Sequence, residues 1–426
     1  MENISDERKK GATQMDLVRY ESVFEEINKY GRTNIGISRL AYTPEERGAL
    51  KYIENLCIRE GMVTRIDACG NLIARREGHN PTLPAIACGS HIDTVYEGGK
   101  YDGTVGVLTG LEVIRSLNDK HIRTLHPIEL IIFACEESSR FGVSTIGSKA
   151  MVGSLKVDSI VNLIDKNGIS IQQAFIDCNL DFNSLDSCRR SKDEIKAFLE
   201  LHIEQGPHLE DNNLQIGIIT GIAAPTRLRI KVKGVASHSG STSMLDRKDA
   251  LLGSAEIALI LEKAAREESY QGTVGTVGTL DIKPGAMNVV PGYAEMQIDI
   301  RGIFKSSKEI VLKNLIEGVK TVGKNRGLDI TWEIISNEDP ALTDDKIQKI
   351  LISNCENIGL DYTLMLSGAG HDAMNMAKLY PTGMIFIPSK DGLSHNPKEY
   401  TSMTDITNGM ILLENTLLDL AIVVVK

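Results

Sequence analysis

At 426 residues, with 42% hydrophobic and 24% charged side chains, the chain is long enough for two or three domains with full cores and is neither disordered nor fibrous in composition. A formal net charge of -10 without a basic cluster argues against a nucleic-acid partner, whose non-specific binding needs Lys and Arg against the phosphates. Cysteines at 57, 69, 88, 135, 178, 188 and 355 stand singly with no C-x-x-C, which excludes a disulfide framework or a cysteine-type zinc module and points to a reducing compartment.

The segment Met1 to Lys10 has no apolar run of a secretory signal, so a cytoplasmic protein is expected. Thr43-Pro44-Glu45-Glu46 combines an N-cap, a proline at the first helical position and a capping-box glutamate, predicting a helix to about Gly61. The continuous apolar runs from Leu83 to Cys88 and from Ile128 to Ala134 predict strands buried on both faces, the mark of a mostly parallel sheet covered by helices. After about Leu214 the pattern changes. Residues 226–233 and 294–301 alternate strictly between polar and apolar, as strands with one wet face do. With helices from Arg247 to Lys263 and near Ser307 to Asn325, and a strand near Leu328 to Ile335, the order is strand, helix, strand, strand, helix, strand, a split βαβ unit. Gly272 to Gly278 is glycine-rich but lacks the G-K-[ST] ending of a phosphate loop. From Ser336 the α/β pattern resumes, with a strand from Pro381 to Ile387. The expected architecture is α/β, with a mostly parallel-sheet domain built from 1–213 and 336–426 and a small α+β (βαββαβ) domain inserted at 214–335. The apolar stretch from Ile411 to Val425 is interrupted by Glu414 and Asp419 and falls short of the ~20 residues of a bilayer span, so a packed terminal helix and no membrane partner are expected.

Four stretches gather ligand-type side chains. "GSHIDTVYEGGKYDGTVG" holds His91, Asp93 and Asp102; Glu136 and Glu137 follow the strand from Ile128; His202 follows the apolar Phe198 to Leu201; His395 lies in "GLSHNPKE". Asp and His are also common in loops, where they accept backbone hydrogen bonds, so no single stretch decides. Each, however, sits at the carboxyl end of a predicted strand, the edge where open α/β sheets bind ligands. Adjacent glutamates are costly when both are charged unless a cation lies beside them, and as a pair they can divide labour between ligand and base. Imidazole nitrogen mixed with carboxylate oxygen suits zinc, manganese or cobalt, and Asp93, two residues from His91, is placed to orient it.

Together "GSHIDTVYEGGKYDG", "EESSRF", "LHIEQGP", "GVASHSGSTSM", "MNVVPG", "DIR", "SGAGHDA" and "GLSHNPKE" resemble, in order and spacing, peptidase family M20 and especially its hydantoinase/carbamoylase branch, from about Thr43 to Asp419. That branch contains N-carbamoyl-L-amino-acid hydrolases, β-ureidopropionases and allantoate amidohydrolases. The resemblance implies a catalytic domain with two divalent ions per subunit (zinc, or manganese, cobalt or nickel) and an inserted lid that also forms a homodimer. By motif position His91, Asp102 and His202 would hold one ion, and Asp102, Glu137 and His395 the other, with Asp102 bridging. Glu136 would be the general base, with Asp93 supporting His91. His238 would be the lid histidine that reaches the neighbouring subunit's site and stabilises the oxyanion. Arg301 and Asn288 would grip the substrate carboxylate, Gln205 would bind the ureido or carboxylate end, and Gly368, Ala369 and Gly370 would offer backbone groups. His371 would either contact substrate or hold its loop.

The departures from the branch pattern sit where specificity is set. Ser138 stands where the branch usually has Gly, and His238-Ser-Gly-Ser-Thr-Ser-Met244 stands where "HAGTTPM" is common. Neither removes a ligand. The expected activity is metal-dependent cleavage of the carbamoyl C–N bond of an N-carbamoyl-L-amino acid or related ureido acid, with allantoate hydrolysis, a dipeptidase or aminoacylase, and a non-catalytic metal-binding protein as the alternatives.

Overall fold

A computed structural model describes residues 15–422; the expectations for Met1 to Lys10 and for 423–425 lie outside the described residues. The chain divides into two compact units, one of Met1–Thr220, Thr343–Met365 and His371–Lys426, the other of Gly221–Leu342 and Leu366–Gly370.

In the larger unit the helix Pro44–Arg59 begins as its sequence signals dictate, with the Thr43 hydroxyl accepting from Glu46 N–H. The central sheet places Val63–Ile66, Leu72–Arg76, Ile128–Phe133, Ala85–His91, Ile195–Ile203, Thr382–Ile387 and Ile216–Ile222 side by side in that order. The four from Ile128–Phe133 to Thr382–Ile387 run parallel, and their outer neighbours pair antiparallel. Every position of Ala85–His91, Ile128–Phe133 and Thr382–Ile387 is buried, which is why these strands read as mostly apolar runs; the buried Glu129 among them is paired with Arg190 and Arg75. Helices Thr104–Asp119 and Met403–Ala421 pack against this sheet with Leu108, Leu111, Ile114, Met410, Leu413 and Leu417 in the core. No helix among the described residues is long and apolar enough to cross a membrane.

Arg39 ties this unit together at a place the sequence did not mark. Its side chain is fully buried, and it donates from Nε to Ile92 O at 2.6 Å, from Nη1 to Ile27 O at 2.8 Å, and from Nη2 to the Thr104 hydroxyl at 2.9 Å. One guanidinium thereby caps the end of helix Leu17–Ile27 and pins both ends of the loop from Ile92 to Thr104. Burial draws its pKa down to about 10 against the pull of Asp93 and Glu46, so it stays charged at neutral pH.

The smaller unit is a four-stranded antiparallel sheet in the order Asp329–Asn337, Ala224–Lys233, Tyr293–Gly302, Val274–Lys283. The strict alternation in the two central strands puts Leu228, Ile230, Val232, Ala294, Met296, Ile298 and Ile300 on one face, packed with Ile257, Leu261, Leu315 and Val319 of helices Ala250–Glu267 and Lys305–Arg326. The glycine-rich Gly272 to Gly278 leads into the edge strand Val274–Lys283. Leu366–Gly370, which the sequence places in the returning 336–426 segment, falls in this unit: Ala223 N–H donates to Ser367 O at 2.8 Å and Arg301 Nη1 to Gly368 O at 3.3 Å.

Replacing Arg39 by Ala takes the side-chain donor from Ile92 O, Ile27 O and the Thr104 hydroxyl and opens a cavity, so Arg39→Ala should cost about 3 kcal/mol or more. Urea unfolding followed by circular dichroism checks this, and a midpoint equal to that of the wild type would refute the clamp.

Candidate metal centre

The four parallel strands deliver their ligand-type residues to one edge of the sheet in spatial sequence. Glu136 and Glu137 follow Ile128–Phe133, His91 ends Ala85–His91, His202 is next to last in Ile195–Ile203, and His395 lies in the loop after Thr382–Ile387. Asp102 enters from the side, just before Gly103, the N-cap of helix Thr104–Asp119. Strand adjacency therefore does what sequence distance hides.

Asp102 is the hub. Its Oδ1 lies 3.4 Å from His91 Nε2 and 3.1 Å from His202 Nε2, and its Oδ2 lies 3.4 Å from His395 Nε2. His395 Nε2 is in turn 3.1 Å from Glu137 Oε1. Two triads result, His91–Asp102–His202 and Asp102–Glu137–His395, each with its ligand atoms within 4.8 Å of one another. All but His395 are buried. Burial opposes ionisation of Asp102, yet His202, His395 and His91 hold its pKa well below the ordinary carboxylate value.

The imidazoles are aimed by their other nitrogen. His91 Nδ1 is 3.0 Å from Asp93 O and His202 Nδ1 is 2.9 Å from Ile203 O, which puts a proton on each Nδ1 and turns each Nε2 toward Asp102. Gly103 N lies 3.1 Å from His202 Nε2. Gly103 itself has φ +62, and a Cβ there would stand 2.5 Å from three atoms of the His91 ring. Imidazole nitrogens facing a shared carboxylate fit a divalent ion such as zinc, manganese or cobalt.

Asp93 does more than orient His91. Its carboxylate is 3.6 Å from His91 Nδ1 but accepts from Glu136 N–H at 3.2 Å and Glu137 N–H at 2.9 Å, fixing the tandem glutamates as they leave the strand. The chain turns there through Cys135 at φ +53, and Gln205 (φ +60) and His395 (φ +54) make comparable left-handed turns beside the cluster. Buried Cys135 is thus a turn residue packed in the core. Glu136 belongs to neither triad; its Oε2 lies 3.8 Å from His91 Nε2. Burial pushes its carboxyl well above the ordinary value, His91 opposing and Glu137 assisting.

Ser394, Glu399 and Glu200 join the expected residues at the site without a role read from the sequence. Ser394 Oγ donates to Asp102 Oδ2 at 2.7 Å, and Glu399 accepts from Tyr101 and Asp102 N–H at 2.7 and 3.0 Å. Buried Glu200 accepts from the Ser90 hydroxyl at 2.7 Å and from Ala373 N–H at 2.8 Å. Gln205 Nε2 donates to Asp102 Oδ2 at 2.7 Å, while its buried Oε1 has no hydrogen-bond partner among the described residues. His371 is buried with its ring 4.6 Å from that of His202 and 5.5 Å from Phe386.

The smaller unit holds the remaining expected residues. Arg301 meets Asp299 through Nε and Nη2 at 3.1 and 3.2 Å, and its Nη1 reaches Gly368 O, next to Ala369 and Gly370. His238 pairs with Val289 across two short strands, and Ser239 N–H donates to Asn288 O at 3.0 Å, so His238 and Asn288 stand together. His238 Nδ1 accepts from Gly240 and Ser241 N–H at 3.0 and 3.2 Å, leaving the ring proton on Nε2.

Comparison with known proteins agrees in kind. The model of peptidase family M20/M25/M40 matches residues 87–419. The chain is 38% identical to ureidoglycolate hydrolase of Arabidopsis thaliana over 91% of its own length and 82% of that relative. It is 37% identical to N-carbamoyl-L-amino acid amidohydrolase of Geobacillus stearothermophilus, over 91% and 94% of the two chains. Its structure resembles the crystal structure of AtUAH in complex with (S)-hydroxyglycine, with a TM-score of 0.85 and 36% identity over 96% and 98% of the two chains.

Gly103→Ala should displace the His91 ring and weaken divalent-metal binding at least tenfold, to the order that losing a ligand's support costs. Metal analysis after equilibrium dialysis measures it; wild-type affinity in the folded variant would show that the ring tolerates the added carbon.

Proposed function

We propose, for a chain that belongs to peptidase family M20/M25/M40, that it is a metal-dependent amidohydrolase cleaving the carbamoyl C–N bond of an N-carbamoyl-L-amino acid or related ureido acid. The products are the amino acid, ammonia and carbon dioxide. The observation that carries this reading is Glu136, a buried carboxylate beside two triads that share Asp102 and a member of neither. A site built only to bind metal gives no reason for a second glutamate in that position.

His91, Asp102 and His202 would hold one divalent ion and Asp102, Glu137 and His395 a second, and such ions polarise a scissile carbonyl and acidify a water. Glu136 takes the proton of the attacking water and passes it to the leaving nitrogen, so that no covalent intermediate is needed. Its raised pKa suits both halves of that task. Arg301 and Asn288, with backbone groups of Gly368, Ala369 and Gly370, grip the substrate carboxylate; an Arg fork matches a carboxylate in shape and charge. Gln205 Oε1, buried without a donor, is open to a ureido N–H. His238, its proton kept on Nε2, donates to the carbonyl oxygen from a second copy of the chain in a homodimer.

Ureidoglycolate is a second reading, favoured by the similarity to ureidoglycolate hydrolase. Allantoate carries the same carboxylate and ureido groups and is a third.

Metal-reconstituted protein offered N-carbamoyl-L-amino acids, 3-ureidopropionate, allantoate and ureidoglycolate should release ammonia from at least one of them. Glu136→Gln should lower kcat by about 10³, within the usual range for a lost general base, while metal content stays unchanged. Cleavage of dipeptides alone, or full activity in the variant, would overturn the proposal.

A further inference from the structure

We propose that Glu399 is a positioning residue that assembles the Asp102–Glu137–His395 triad by tying the chain at Tyr101 and Asp102 to the turn at Ser394. The inference rests on reading the triads as metal sites.

The two triads are not built alike. His91 and His202 lie within strands, paired at the histidine with Phe133 and Phe386 of the neighbouring strands, and both are buried. His395 lies beyond the end of its strand, its side chain is 50% exposed, and its backbone is in the left-handed region at φ +54. A ligand on an exposed loop needs another means of being held, since an imprecisely placed donor costs affinity.

Glu399 supplies it. The turn after His395 is closed by Glu399 N–H to Asn396 O at 2.9 Å and Lys398 N–H to Asn396 Oδ1 at 2.9 Å, which folds the Glu399 side chain back beneath the cluster. There one carboxylate oxygen accepts the Tyr101 and Asp102 N–H groups at 2.7 and 3.0 Å, and the other lies 3.2 Å from Ser394 Oγ. Ser394, next to His395 in the chain, lies 2.7 Å from Asp102 Oδ2. A single side chain, 4% exposed, thus holds the backbone that presents Asp102 and the hydroxyl beside His395. The other loop makes room for it: a Cβ at Gly99 would stand 2.4 Å from the Glu399 Cβ, Cδ and Oε1 atoms. Glu399 belongs to neither triad and spends one oxygen on two backbone N–H groups, which makes it a support of ligands and not a ligand.

The test is Co²⁺ titration of full-length wild type, Glu399→Gln, Glu399→Ala and Ser394→Ala, with dissociation constants from chelator competition and the visible absorption of bound cobalt as a readout independent of activity. Wild type should bind two ions. Glu399→Ala and Ser394→Ala should weaken the ion at Asp102–Glu137–His395 at least tenfold and the other one less, since Asp102 is shared by both triads, with an altered cobalt spectrum. Glu399→Gln, which keeps an acceptor for the two N–H groups, should lose less. If Glu399→Ala does not fold, Ser394→Ala and Glu399→Gln decide. Wild-type affinity at both sites in the folded variants, or equal loss at both, would overturn the inference. A wild type that binds no divalent ion would overturn the metal reading and this inference with it.

Discussion

Buried negative charge is the constraint around which the larger unit is organised. Asp93, Asp102, Glu136, Glu137, Glu200, Asp372 and Glu399 are all buried, and an ionised carboxylate taken out of water costs several kcal/mol unless its oxygens are satisfied. The chain meets that cost in distinct ways. Asp93, Glu200 and Glu399 accept backbone N–H groups, and Asp102 and Glu137 face imidazoles. Burial pushes the Asp372 carboxyl well above its ordinary value, with Glu200 adding to the shift. Arg39 places a fixed positive charge behind the loop that carries Asp93 and Asp102. Divalent ions held by the triads, as proposed, would complete this balance and give it a use.

Much of this was legible in the sequence, for physical reasons that differ from residue to residue. Buried parallel strands must be continuously apolar, so Ala85–His91 and Ile128–Phe133 announced themselves, and with them the edge where His91, Glu136 and Glu137 emerge. The alternating strands of the smaller unit were visible because one face is wet and the other packs on two helices. The edge strand Val274–Lys283 was not located individually, because nearly all of it is exposed and its glycines blur any period.

The supporting residues were hidden for a different reason. Glu399, Glu200 and the carboxylate of Asp93 act by accepting backbone N–H groups, and a backbone donor leaves no trace in the sequence. Arg39 carries no mark in the sequence, because the carbonyls and the hydroxyl that accept from it are brought around it only by the fold. The left-handed turns at Cys135, Gln205 and His395 fall on residues with no preference for that conformation; the surrounding fold imposes them.

Shared use of Asp102 is the claim on which the rest stands, and isothermal titration of wild type and Asp102→Ala with a divalent metal tests it most directly. Two ions per chain in the wild type and none bound tightly in the folded variant is the expected result. Retention of one or both ions at wild-type affinity without that carboxylate would mean that the two triads are separate sites, and the shared centre would have to be abandoned.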